Sequence, residues 1–252
     1  MPLIRVEAIV LQSFPYSETS KILRLATRTH GVRSAIARGA LRPRSRFGGI
    51  LEPFTEGIAT LYVKEGRDLH TLSSFDLTRT RQELGADLRR FGGASLIAEL
   101  VLRAGSEEAD PALFEQIRGA FTRIAQAPAE QLDGVLLAET WALVGRLGFT
   151  PLVDACAACG RPLSEDEDAF FDYDAGGVVC PHCTRPEPVR GSGRIIPAAA
   201  RRVLRSLTRG RAVYVERPAA HWALLQRFVA RHLAEGATLR SFPFLVNALE
   251  RR

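Results

Sequence analysis

The sequence predicts an α+β fold: a five-stranded N-terminal barrel, a helical body, and a four-cysteine module inserted into that body. Three observations carry this reading. Short apolar runs separated by turn residues fill residues 1–76, a helical period takes over beyond residue 81, and all four cysteines fall within 156–183. At 252 residues the chain can bury a substantial core without disulfides. Its 46% hydrophobic and 25% charged residues, with no apolar run near the ~18 of a membrane span, exclude collagen-like, disordered and membrane-spanning classes. Arg5 and Glu7 interrupt the N-terminus too early for a signal-peptide core, which predicts a cytoplasmic protein.

Candidate strands are Ile4 to Leu11, Ile22 to Ala26, Val32 to Arg38, Gly57 to Lys64 and Leu69 to Phe75, broken at Ser13–Phe14–Pro15, His30–Gly31, Arg42–Pro43, Gly48–Gly49 and Glu65–Gly66. Five strands in fewer than 80 residues suit an OB-fold, whose open face and loops bind oligonucleotides. Helices are expected at Phe91 to Ala104, behind the Asp110–Pro111 start signal (Leu113, Phe114, Ile117, Phe121, Ile124), and through Leu132, Leu136, Leu143 and Leu147. Pro197 opens another, His221 to Ala234 forms the next, and Leu239 to Leu249 closes the chain. The expected division is 1–80 for the barrel, 81–153 for the first helical part, 154–187 for the cysteine module and 188–252 for a basic second helical part.

Charge is segregated along the chain. Lys and Arg outnumber Asp and Glu by 12 to 7 in residues 1–80 and 13 to 3 in 188–252, whereas the acids lead 11 to 7 in 81–154 and 7 to 2 in 155–187. Only Lys21 and Lys64 are lysines, so GC-rich coding accounts for part of the arginine excess. Codon bias would spread arginine evenly, however, and segregation points to a surface for an anionic polymer, nucleic acid before anionic lipid. No acidic residue lies between Glu18 and Glu52, where Lys21, Arg24, Arg28, Arg33, Arg38, Arg42, Arg44 and Arg46 all fall. Residues 40–49 read as a mobile basic loop able to wrap a phosphate backbone, with Phe47 either stacking a base or anchoring the loop. Strand alternation places Arg33 and Arg38 on opposite faces, so both reach DNA only if Arg38 stands at the strand end.

Cys156-x₂-Cys159 and Cys180-x₂-Cys183 have the spacing of a four-cysteine zinc site. Gly160 and Gly176–Gly177 supply permissive backbone beside the pairs. A disulfide framework and a thioredoxin-type redox pair are the alternatives, both disfavoured for a cytosolic chain with two matched pairs and no βαβ pattern. Four thiolates close a tetrahedral zinc, so one structural Zn2+ per chain is expected, with His182 facing solvent. The module is acidic, with Glu165 to Asp168, Asp172 and Asp174. It reads as a clamp rather than a DNA grip, with a protein-interaction surface as its second reading. In the helix after Pro197, the arginines Arg201, Arg202, Arg205 and Arg209 recur at mostly helical spacing, and Arg201 and Arg205 are taken as further phosphate contacts against the plain alternative of a solvated face. No nucleotide-binding G-x-x-x-x-G-K-[ST], no H-E-x-x-H and no zinc-deaminase signature occurs, which favours a binding protein over an enzyme.

Several ordered segments then carry a resemblance: Glu7–Ala8–Ile9–Val10–Leu11, Ser17 to Leu23, Thr29–His30–Gly31, Ala35 to Ala40, Arg42–Pro43–Arg44–Ser45, Leu51–Glu52–Pro53–Phe54, Leu147 to Pro151 running into Cys156-x₂-Cys159–Gly160, and Leu239–Arg240–Ser241. Over nearly its whole length the chain resembles the bacterial RecO family of recombination-repair mediators. The resemblance implies an OB-fold, a helical body and, in the subset with four cysteines, an inserted zinc module. It implies binding of single- and double-stranded DNA, annealing of complementary strands without ATP, and help, together with RecR, for RecA to replace single-strand-binding protein. It also implies contact of the helical body with the C-terminal tail of single-strand-binding protein, and a nucleoid-associated location. DNA contacts carry over to Arg33, Arg38, Arg42 and Arg44, with Lys21, Arg24 and Arg46 added on charge. A zinc-ribbon transcription or RNA-binding factor and a nuclease remain as competing classes.

Overall fold

The computed structural model describes residues 2–63, 66–106, 108–184, 193–233 and 239–250. The chain divides into two compact units, residues 1–126 and 127–252.

In the first unit five strands close into a barrel in the order β1-β2-β3-β5-β4: β1 (Leu3–Pro15), β2 (Lys21–Thr27), β3 (Gly31–Ala37), β4 (Glu56–Tyr62) and β5 (Leu69–Arg79). All pairs are antiparallel except β3 with β5, and β1 closes the barrel because its 13 residues pair with both β2 and β4. This is the OB-fold the strand spacing predicts. Alternation fills the interior with Val6, Ala8 and Val10 of β1, Leu23 and Leu25 of β2, Ala35 and Ala37 of β3, and Leu61 and Leu72 of β4 and β5. The last expected residue of β4, Lys64, lies outside the described residues.

Three helices complete this unit: α1 (Gln82–Ala86), α2 (Leu88–Ala104) and α3 (Pro111–Gln126). The side chain of Asp87 accepts from the Arg89 and Arg90 amides to cap α2, and Asp110 Oδ1 accepts from the Leu113 amide at 2.9 Å to start α3. The helices are tied to the barrel through Phe54, which is buried in the left-handed region at φ 70° and meets the rings of Phe91 and Phe121 edge-on at 5.6 and 5.1 Å. That backbone conformation costs a non-glycine residue about 1–3 kcal/mol, offset here by two aromatic contacts and a 2.7 Å bond from its amide to Val10 O. Beside it, buried Arg81 donates to Phe54 O at 2.8 Å and to Glu56 Oε2 at 2.7 Å. Burial holds the Arg81 guanidinium below its ordinary pKa against the pull of Glu56. Removing either partner strands the other charge and costs about 3–5 kcal/mol. These ties group α1–α3 with the barrel in the compact unit of residues 1–126.

The second unit holds α4 (Leu132–Arg146), α5 (Ala198–Thr208), α6 (Pro218–His232) and α7 (Ser241–Glu250), with a small sheet in the order β7-β6-β8: β6 (Ala169–Asp172), β7 (Gly177–Val179) and β8 (Gly193–Ile196). Trp141 of α4 packs on Phe228 of α6 at 5.2 Å, and Phe228 in turn meets Phe171 of β6 at 6.1 Å, so the ribbon shares the helical core. α4 runs against the segment before α6 so closely that a Cβ on Gly134 would stand 2.1 Å from Val213 O. Ala234, the expected end of α6, lies outside the described residues. No helix among the described residues is long and apolar enough to cross a membrane.

Candidate nucleic-acid interface and metal centre

The link from β3 to β4 is a succession of turns, fixed by bonds from the Arg42 amide to Gly39 O, Ser45 to Arg42 O, Gly48 to Ser45 O and Ile50 to Phe47 O. Phe47, only 2% exposed, enters the barrel core with Leu51, so its role is to anchor the loop. The loop expected to be mobile is therefore pinned at its centre, and the Leu41 amide donates to Thr19 O at 3.0 Å to tie its start to the β1–β2 turn. Around this anchor Arg38, Arg42, Arg44 and Arg46 are exposed, and none forms an ion pair among the described residues. Arg46 lies 5.0 Å over the Phe47 ring.

The other predicted contacts of this unit are placed differently. Arg38 follows the last residue of β3, satisfying the condition set by alternation, while Arg33 lies at the opposite end of that strand, roughly 16 Å away at 3.3 Å per residue, and donates to Val32 O. Arg24 is half-buried and pairs in register with Gln12 and Ser34. Lys21 reaches the loop end of the barrel, but its side chain is 15% exposed and its Nζ lies 2.8 Å from Glu52 Oε1. Arg28 is engaged by Glu7 and Glu115. The loop end thus gathers Lys21, Arg38, Arg42, Arg44 and Arg46, and not Arg33.

The four cysteine Sγ atoms lie within 4.8 Å of one another, with none in a disulfide. The separation fits a tetrahedral ion at about 2.3 Å from each sulfur, which sets sulfurs about 3.8 Å apart. In the first knuckle the Cys156 amide donates to Arg161 O and the Gly160 amide to Cys156 O, with Gly160 at φ 75°. In the second, the Cys183 and Thr184 amides both donate to Cys180 O at 3.0 Å. The two hairpins are brought together where Gly177 passes Leu152, whose carbonyl would stand 2.4 Å from any Cβ there. Burial opposes ionisation of Cys156, but amide donors, including the Cys180 N–H at 3.3 Å from its sulfur, outweigh it and lower the thiol to about 6. Cys183, which shares protons with Cys159 and Cys180, is pushed up to about 12. Lowering of Cys156 favours its thiolate, the form that binds a metal. The donor set can hold a metal ion. His182 is exposed, as expected.

The arginines of α5 require a correction. Arg201 is 0% exposed; its Nη1 donates to Val153 O at 3.1 Å and its Nη2 to Ser164 O, and burial lowers its pKa. It cannot touch a phosphate. Arg205 Nη1 donates to Glu165 Oε1 at 2.8 Å and its Nε lies 2.6 Å from Asp154 Oδ1. Arg202 pairs with Asp166, Arg209 with Asp154, and Arg231 of α6 with Asp174. Asp168 Oδ1 accepts from the Ala198 amide at the start of α5, and Glu167 pairs with Arg161. The acidic ribbon and basic helix therefore complement each other inside one unit. The contrast of charge along the sequence is largely an internal lock there, whereas the barrel loop has no such partner among the described residues.

An OB barrel followed by a helical unit with a four-cysteine ribbon is matched along its length by two family models, "Recombination protein O N terminal" over residues 1–81 and "Recombination protein O C terminal" over residues 85–240. The chain belongs to the RecO family, which supports a role in DNA repair and recombination. Among its relatives are proteins named DNA repair protein RecO from a Nocardioides species, 32% identical over 94% of this chain and 91% of the relative, and from Anaeromyxobacter strain K, 31% identical over 96% of both. That of Caldanaerobacter subterraneus is 32% identical over 73% of this chain and 72% of the relative.

Proposed function

We propose that the chain is a non-catalytic DNA mediator that binds single- and double-stranded DNA, anneals complementary strands without ATP, and with RecR helps RecA replace single-strand-binding protein, whose C-terminal tail it contacts. One observation carries the reading: Arg38, Arg42, Arg44 and Arg46 are exposed on one anchored loop of an OB barrel, with no ion-pair partner among the described residues. Such a surface releases counterions from phosphates and lowers the repulsion between two strands. Since Arg201, Arg202, Arg205 and Arg209 are held within the second unit, neutralisation rests on the barrel loop rather than on both ends of the chain. The cysteine cluster is proposed to hold one structural Zn2+, with all four thiolates as ligands and no open position for water. A cytoplasmic, nucleoid-associated location follows from this role.

The test is fluorescence quenching between labelled complementary oligonucleotides, naked and coated with single-strand-binding protein, with and without ATP. Acceleration independent of ATP and fading with salt supports the proposal. A requirement for ATP, or no acceleration at low salt, overturns it.

A further inference from the structure

The end of β1 inverts the usual pattern of burial. Up to Val10 the even-numbered residues face the barrel interior, which would carry Phe14 inward. A β-bulge between Val10 and Gln12 shifts the register, so that Ser13 stands opposite interior Leu23 and Phe14 opposite Ile22 on the outer face. The strand consequently buries a serine hydroxyl that has no hydrogen-bond partner among the described residues and leaves a phenylalanine 39% exposed. Both choices oppose folding stability, a combination that marks a functional constraint. Two residues further, Tyr16 is 61% exposed at the start of the β1–β2 turn, where its amide is fixed to Ser20 O at 2.9 Å. The same turn receives the Leu41 amide at Thr19 O, which brings it to the arginine loop. Ile22 and Ile36, half-buried and in register with Phe14, continue the outer apolar row.

We propose that Phe14 and Tyr16 form a base-stacking platform for single-stranded nucleic acid, set beside the arginines of residues 38–50 that hold its phosphates. The occupant follows from the chemistry on this face. Exposed aromatic rings next to Arg38, Arg42, Arg44 and Arg46, which have no ion-pair partner among the described residues, match a polymer that alternates π-faces with phosphates. A duplex presents the phosphates but keeps its bases stacked, so it meets the arginines and not the rings. The platform rests on the proposed DNA-binding function and gives it a preference for unpaired strands.

The experiment compares the full chain with a Phe14→Leu, Tyr16→Leu variant, which keeps exposed apolar area and removes the rings. The probes are an oligothymidylate, an abasic strand of equal length, and a blunt duplex. The expected result is loss of about tenfold or more in affinity for oligothymidylate, with abasic and duplex affinities unchanged and the salt slope intact. A Phe14→Trp variant retains oligothymidylate binding. Equal loss on all three probes, or no loss on any, overturns the platform while leaving the DNA-binding function in place, the second result pointing to a protein partner on this face. Failure of the unaltered chain to bind any of the three overturns both.

Discussion

Arg205 of α5 donates to Glu165 of the cysteine ribbon at 2.8 Å, and the contact draws the Glu165 carboxyl below its ordinary pKa. Residues 40 apart in sequence thereby join the most basic and one of the most acidic stretches of the chain. Arg202 with Asp166 and Arg209 with Asp154 repeat the arrangement along one helix. Individually such exposed pairs contribute little, but as a network they fix the ribbon's position and withdraw three cations from any external partner.

The loop arginines are expected to dominate the salt response. Replacing Arg42, Arg44 and Arg46 with alanine should weaken binding to single strands and duplexes alike and flatten log K against log salt by up to about 2–3, at roughly 0.7–0.9 per contact. Filter binding or anisotropy across a salt series checks this. An unchanged slope would show that the loop does not touch DNA.

Arg201→Met should act on stability alone. It orphans the carbonyls of Val153 and Ser164, at about 1–3 kcal/mol each. Denaturant unfolding followed by tryptophan fluorescence is the suitable measure, because Trp141 and Trp222, the chain's two tryptophans, both lie in the second unit. DNA affinity of the folded variant should match that of the unaltered chain; a drop would restore Arg201 as a contact.

If the cluster holds the proposed Zn2+, changing Cys180 and Cys183 to serine should abolish one bound zinc per chain, read by elemental analysis, and unfold the ribbon, since structural zinc sites supply about 10–16 kcal/mol of local folding energy. Arg202, Arg205 and Arg209 would then lose their carboxylate partners. The variant should accordingly bind duplex DNA with a salt slope steeper by up to about 2–3. A slope unchanged in a metal-free variant would contradict the lock.

Stability of the second unit should fall in mild acid. Burial, with Arg194 adding to it, lowers the pKa of His221, so the unfolded chain takes up a proton near pH 6.5 that the folded chain resists. This contribution is fully present above about 6.5 and is lost as pH falls through that value toward the folded pKa, at no more than about 1.4 kcal/mol per pH unit. Urea unfolding at several pH values, read through tryptophan, should show the decline, and His221→Phe should flatten it. An equally steep decline in the variant would assign it elsewhere.

Much of this arrangement was legible in the sequence because it rests on local periodicity. All five barrel strands and six of the helices follow from alternation, helical stripes and punctuation such as Asp110–Pro111, while α1, a single turn, and β6 to β8, of three or four residues each, carry too few residues to show a period. The four cysteines were legible because metal geometry constrains spacing directly. The assignment of Arg201 and Arg205 failed for a reason periodicity cannot reveal: a charged stripe looks the same whether it faces water or a folded-back acidic ribbon, and only the tertiary register separates the two. Phe14 was hidden in a different way, because a one-residue bulge reverses every side chain beyond it without altering composition. The Asp168 cap on α5 was equally invisible, being supplied from 30 residues away.

The interlocking of ribbon and α5 makes distant parts of the chain depend on one another. The cysteines, the acids of the ribbon and the arginines beside it are physically interdependent, since each is a liability without the others: bare thiols, uncompensated carboxylates, and a cationic stripe open to any nucleic acid. A chain whose ribbon came undone would leave Arg205 and its neighbours without those carboxylates. Loss of the four cysteines would be felt a second time, thirty or more positions downstream, in the uncompensated charge of a helix that contributes none of the thiols.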